Sequence, residues 1–188
     1  MIAAVHGVLG LHAYPQDVIT AAFATVVSPD GKHRAVIDRI HEATGVRSRS
    51  LALPLEQYAD LDGFGAANDA FIRVGLDLGE QAMRGALERA GLDPADVDLV
   101  LATSVTGIAA PSLESRLVPR LGLRPDVKRL PVFGLGCVAG AAGIARLHDY
   151  LAGDPDGVAV LLSVELCSLT VQRDDVSMSN IVASGLFG

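Results

Sequence analysis

Residues 130–151, LPVFGLGCVAGAAGIARLHDYL, decide the fold. Leu130 to Leu135 reads as a strand and Val138 to Leu151 as a helix rich in small residues, with Gly136 and Cys137 left for the turn between them. A strand that passes through a glycine turn into a helix is half of a βαβ unit. The pattern extends in both directions. Upstream, Asp98 to Val105 (DLVLATSV) is a continuous apolar run, as expected of a central parallel strand. A turn through Ala110-Pro111 then leads to a short helix from Ser112, whose hydroxyl suits an N-cap. Downstream, Gly157 to Leu166 (GVAVLLSVEL) reads as another buried strand. This βαβαβ order with short loops predicts an α/β fold, a parallel or mixed sheet with helices on its faces.

The first ninety residues are less regular. Ile2 to Leu9 is an apolar run suited to a strand covered on both faces. His33 to Ala43 reads as a helix with Val36, Ile37 and Ile40 on one stripe and Gly45 at its stop. Arg47 to Gly65 mixes polar and turn residues and reads as loop. Ala67 to Ala90 is a long helix with Phe71, Val74, Leu78, Ala82 and Ala86 on its apolar face, ended by Gly91. No repeat, low-complexity tract or linker interrupts the chain. Its last residues, IVASGLFG at 181–188, are apolar with no polar tail, which raises the expectation of a longer polypeptide.

Composition narrows the class. The 188 residues suit one domain, and 50% hydrophobic against 20% charged residues, with a mean hydropathy of +0.39, exclude intrinsic disorder. Fifteen basic against twenty-two acidic side chains give −7, so no basic face for nucleic acid is expected. The start lacks the basic region of a signal peptide, and the uncharged stretch from Pro131 to Ala145 is too short to span a bilayer. Neither membrane nor nucleic acid is therefore an expected partner. Cys137 and Cys167, thirty positions apart, form no zinc or disulfide pattern, and a reduced, cytoplasmic setting is expected.

Cys137 carries the chemistry. Its place between a strand and a small-residue helix puts the sulfur at a helix N-terminus, where backbone N–H groups and the helix dipole favour a thiolate. A thiolate so placed suits an acyl-accepting nucleophile. Local context leaves a second reading open, that of a small buried hydrophobe. A dinucleotide-loop reading of Gly134, Gly136 and Gly140 is weak, because the spacing is not GxGxxG and Asp154 and Asp156 lie in a turn.

GLGCVAGAAGIARLHDYL (134–151), LLSVELCSLT (161–170) and NIVASGLFG (180–188) together resemble the N-terminal half of the type III polyketide synthases, the chalcone and stilbene synthase family. VTGIAAPSLESRLVPRLGLRPDVKRLPVF (105–133) resembles that family's approach to its nucleophile. Any one block alone would also suit ketoacyl synthase III. The resemblance implies a thiolase-like fold, of which residues 1–188 form the N-terminal domain with a mixed five-stranded sheet, and a homodimeric enzyme. It implies that Cys137 takes an acyl group from an acyl-CoA as a thioester. Decarboxylation of malonyl-CoA then yields a carbanion that extends the chain before Claisen, aldol or lactone closure. No metal, cofactor or acyl carrier protein is implied.

The resemblance also assigns supporting residues. Phe187 matches a gatekeeper between CoA tunnel and cavity, Thr170 a cavity-lining position, and Glu165 an acid that in some members joins a network steering cyclisation. Cys167 is expected to be a mid-strand cavity wall. If buried, Glu165 needs a polar partner. Val105 and Ala110 stand where plant members have a threonine of that network and a methionine reaching across the dimer. The lost hydroxyl at Val105 and the lost bulk at Ala110 lead us to expect fatty-acyl starters and pyrone or resorcinol products. Arg39 matches a residue that grips CoA phosphates, while the neighbouring basic positions read as Val36 and Ala43, for which Arg47 and Arg49 are possible substitutes. The family's catalytic histidine and asparagine lie in its C-terminal half. The five histidines here, His6, His12, His33, His41 and His148, match neither, and His41 and His148 are expected on solvated or core-edge helix faces. The expected protein is an acyltransferase half, inactive alone. The alternatives are a ketoacyl synthase III-like condensing enzyme and a non-catalytic module that associates through an apolar face.

Overall fold

A computed structural model of the chain describes residues 1–173 and 175–186. In chain order the elements are β1 (His12–Pro15), α1 (Gln16–Val27), α2 (Arg34–Ala43), β2 (Ser48–Leu51), α3 (Gly63–Ala90), β3 (Leu99–Ser104), α4 (Leu113–Leu121), β4 (Lys128–Phe133), α5 (Ala139–Gly153), β5 (Ala159–Ser163) and α6 (Met178–Leu186). Two compact units result. One comprises Met1–Val8 and Ile72–Glu165, the other Leu9–Phe71 and the described residues from Leu166 onward.

The first unit is built on a parallel sheet in the order β4-β3-β5. Central β3 pairs Leu101 with Leu130 on one side and Leu161 on the other, and Leu99 to Thr103 are all buried. Two glycines show which helices cover which face. A Cβ on Gly143 of α5 would fall 2.6 Å from Leu161 Cδ1 and 3.5 Å from Leu101 Cδ2. One on Gly79 of α3 would fall 3.3 Å from Leu117 Cδ1 of α4 and 3.5 Å from Leu162 Cδ2. Leu161 and Leu162 are successive strand residues and point to opposite faces. α5 therefore covers one face, while α3 with α4 covers the other. At the strands' N-terminal edge, Asp98 accepts from the Val158 amide at 2.8 Å and from Arg124 at 2.9 Å. The Val158 amide foremost, with Arg124, holds the Asp98 carboxyl below its ordinary value.

In the second unit β1 pairs antiparallel with β2, from His12 opposite Leu51 to Pro15 opposite Ser48. Phe23, Ala24 and Val27 of α1 pack with Ile37 of α2 and Ile181 of α6 in a buried core.

Most expected elements of the βαβαβ stretch overlap those observed, and α2 matches to within a residue. Four readings need correction. Ile2 to Leu9 forms no strand: no described strand offers it a ladder, and Ile2, Val5 and Leu9 are exposed. Among the described residues the five strands divide into a parallel three and an antiparallel two instead of one mixed sheet. The stretch from Arg47 to Gly65 holds β2, a 3-10 turn at Leu55–Asp60 and the start of α3. Ser112 does occupy the N-cap of α4, yet its hydroxyl bonds Glu114 and Ser115 rather than the backbone. No helix among the described residues is long and apolar enough to cross a membrane.

Candidate active site

Parallel strands all leave their sheet at one end, and ligands of open α/β sheets gather there. The end of β3 leads directly into residues 105–111, the end of β4 into Gly134–Cys137, and the end of β5 into Glu165. Cys137, Val105 and Glu165 thus share one rim of the first unit. Cys137 lies in the 3-10 turn Gly136–Val138, immediately before the fifteen residues of α5, and is exposed. Gly134 and Gly136 enter that turn at φ +91° and +60°, where a side chain is strained. The two glycines of GLGC are therefore demanded by the backbone that presents the sulfur.

Glu165 is exposed, not buried, and it is well partnered. Its two carboxylate oxygens accept from the Val105 amide at 3.1 and 3.2 Å. Oε2 also accepts from Thr106 Oγ1 at 2.7 Å. Residue 105 takes part through its backbone, and its neighbour Thr106 supplies the hydroxyl. The signal was present in the sequence as hydroxyl residues on both sides of Val105, Ser104-Val105-Thr106, at the end of a strand. Ala110 is exposed in a loop fastened by Arg116, which donates to Pro111 O at 2.8 Å and to Ala110 O at 3.3 Å.

Two further candidates belong to the second unit. Arg39 is exposed on α2 and Thr170 is exposed in the 3-10 turn Cys167–Thr170, both in the second unit. Thr170 Oγ1 donates to Cys167 O at 2.7 Å. Cys167 belongs to that turn, because β5 ends at Ser163, so it is not the mid-strand thiol expected. Phe187 lies outside the described residues.

Arg49 is not a spare cation for CoA. It is 7% exposed, its Nε donates to Gln16 Oε1 at 2.7 Å, and its Nη2 bonds Gly185 O. His41, expected at a solvated or core-edge position, is 1% exposed. Its Nδ1 lies 2.9 Å from Thr20 Oγ1 and 3.3 Å from Gln16 Nε2, and its Nε2 lies 3.0 Å from Ser184 Oγ. Burial first, then the nearby Arg49 charge, pushes the His41 pKa down. His148 is exposed, as expected.

Residues 76–187 match the family model described as FAE1/Type III polyketide synthase-like protein. The chain belongs to that family. Cys137, Val105, Ala110, Glu165, Thr170 and Phe187 all fall in the matched stretch, whereas Arg39 precedes it. This type III polyketide synthase-like chain is 59% identical over 187 residues to the 1,3,6,8-tetrahydroxynaphthalene synthase of Streptomyces peucetius subsp. caesius, a match covering 100% of the chain and 49% of that protein. It is 35% identical over 159 residues to the phloroglucinol synthase of Pseudomonas fluorescens, covering 85% of the chain and 46% of the relative. Among solved structures, the 1,3,6,8-tetrahydroxynaphthalene synthase of Streptomyces coelicolor superposes with a TM-score of 0.88 at 28% identity, over 98% of this chain and 54% of that one. The α/β thiolase-like class expected from the resemblance stands, and the ketoacyl synthase III alternative gives way. The chain spans about half the length of the curated relatives it matches.

Proposed function

We propose that the chain is the N-terminal half of a type III polyketide synthase, an acyltransferase that receives an acyl group from acyl-CoA on Cys137 and extends it with malonyl-CoA. The observation that carries this reading is the exposed Cys137, held on a glycine-shaped turn at the C-terminal rim of the parallel sheet, inside the stretch that matches the family. An accessible sulfur at the mouth of a rigid sheet can be acylated and then hold its cargo while the next unit arrives, which makes each extension effectively unimolecular. The histidine and asparagine that polarise malonyl-CoA come from the other half of the enzyme, so this half is inactive alone. No metal or cofactor takes part.

Val105, Ala110, Glu165, Thr170 and Phe187 contribute to the ketide cavity in this reading, and Arg39 to CoA binding. The product is a fused polyhydroxylated aromatic. The 59% identity to a tetrahydroxynaphthalene synthase favours this over the pyrone or resorcinol suggested by Val105 and Ala110. Oxygens on alternate carbons of such a ring are the pattern that repeated two-carbon condensation leaves. The enzyme works as a cytoplasmic homodimer. Support for the dimer is the open edge strand β4, where Leu130 and Phe133 are exposed, since an uncovered apolar edge invites pairing.

The test is turnover by the full-length polypeptide. Malonyl-CoA should be consumed with CoA release and formation of an aromatic product, and Cys137→Ala should abolish both. Product formation only from long acyl-CoA starters would overturn the aromatic assignment, and equal turnover by Cys137→Ala would overturn the mechanism.

A further inference from the structure

From two turns of the second unit we infer that Tyr58 is a positioning residue for Thr170, and through it a determinant of how many two-carbon units a ketide receives. The inference rests on the synthase reading above, in which Thr170 belongs to the cavity wall. Tyr58 lies in the 3-10 turn Leu55–Asp60, ahead of the stretch that matches the family. Thr170 closes the 3-10 turn Cys167–Thr170, and both turns belong to the second unit. Tyr58 Oη lies 2.6 Å from Ser168 Oγ, a close pairing of two hydroxyls. Arg173 Nη2 donates to Tyr58 O at 2.6 Å and also bonds Ala59 O. Residues 168 and 173 are thus both fastened to the turn that carries Tyr58, and Thr170 sits between the two fastenings.

The hydroxyl pair also answers a backbone requirement. The chain leaves β2 at Leu51, and Ala52 and Leu53 beyond it are buried. A buried amide needs an acceptor. The Leu53 amide donates to Tyr58 Oη at 3.3 Å, and the Ala52 amide donates to Ser168 Oγ at 3.4 Å. Burial foremost pushes the Tyr58 pKa up, so the phenol keeps the proton that the pair needs. Within the second turn Leu169 is buried, and Thr170 Oγ1 donates to Cys167 O at 2.7 Å. Thr170 itself is exposed, so its place is set by these anchored neighbours. A growing chain stops when the wall leaves no room for the next unit, and a wall that gives way admits more. Product length therefore reports how firmly Thr170 is held.

The experiment uses the full-length enzyme and sorts its products by mass into classes with different numbers of malonyl-derived units, while thermal unfolding follows the fold. Tyr58→Phe and Ser168→Ala are each expected to raise the share of products longer than the parental one about fivefold, the size of one net hydrogen bond. Their combination should shift it no further, since both changes break one pairing. Ser168→Thr keeps the hydroxyl and should keep the parental distribution. Arg173 is exposed, so Arg173→Ala removes the second fastening without a change in the core, and it should shift lengths in the same direction. Met83→Ala empties part of the core of the first unit, and should lower the unfolding temperature without changing the distribution. An unchanged distribution in Tyr58→Phe or Arg173→Ala, additive shifts in the double variant, equal shifts in Ser168→Thr and Ser168→Ala, or a shift in Met83→Ala would each overturn the inference. Absence of CoA release by the parental enzyme is a different result, and it tells against the synthase reading itself.

Discussion

At the rim of the parallel sheet, Glu165 is exposed and bonded by the Val105 amide and the Thr106 hydroxyl. In the second unit His41 is enclosed, with Thr20 and Gln16 at one ring nitrogen and Ser184 at the other. Both clusters consist of ordinary polar side chains with good partners. Burial separates them. A buried polar group must be satisfied, and losing one partner costs the desolvation of the other. An exposed one can exchange its partner for water, and hence for substrate. The enclosed cluster should govern stability, and the open rim should govern chemistry.

Substitutions can break that contrast. Cys137→Ala is expected to lower turnover of the full-length enzyme about a thousandfold or more. Because Cys137 is exposed, its unfolding free energy should stay within about 0.5 kcal/mol of the parent. Arg49→Ala should do the reverse in a urea titration. It leaves Gln16 Oε1 and Gly185 O without a donor in a buried site, a loss of about 3 kcal/mol. A large stability loss in Cys137→Ala, or none in Arg49→Ala, would erase the distinction.

Acid sharpens it. The folded His41 pKa is depressed, so below about 6.5 the unfolded chain takes up a proton that the folded state resists. The stability contributed by neutral His41 is complete above that pH. It declines as pH falls toward the folded value, by at most about 1.4 kcal/mol per pH unit. Unfolding followed from pH 7.5 to 5 should show this slope, and His41→Gln should flatten it. A slope unchanged by the substitution would remove His41 as its source.

The smallest effects concern the helix behind Cys137. Among the described residues nothing lies within 4 Å of a Cβ on Gly140, so Gly140→Ala should stabilise by about 0.5–1 kcal/mol. The Cβ of Gly143→Ala would press on Leu161 Cδ1 at 2.6 Å, so that change should destabilise by about 1 kcal/mol net. Thermal unfolding of the two variants should therefore show shifts of opposite sign.

The sequence was informative where pattern and packing agree. The apolar run of β3 is a central strand because both of its faces are covered, and GLGC is a turn because two of its residues need positive φ. It was silent where an element depends on distant partners. Ile2 to Leu9 is apolar enough for a strand but joins no ladder among the described residues, and the short β2 is fixed by pairing with β1 thirty-six positions earlier. α1 did carry a legible signal, Ile19, Phe23 and Val27 at four-residue spacing, all buried. Within the site, residue matching placed Cys137 and Glu165 on one rim. It could not see that Thr106 would donate its hydroxyl to Glu165, nor that Arg49 would be engaged inside its own unit.

The most direct measurement is peptide mapping by mass spectrometry of the full-length enzyme quenched during turnover with malonyl-CoA. An acyl or ketide adduct is expected on the peptide containing Cys137, and none on the peptide containing Cys167. Product accumulating while Cys137 remains unmodified, or an adduct that resides on Cys167, would contradict the account.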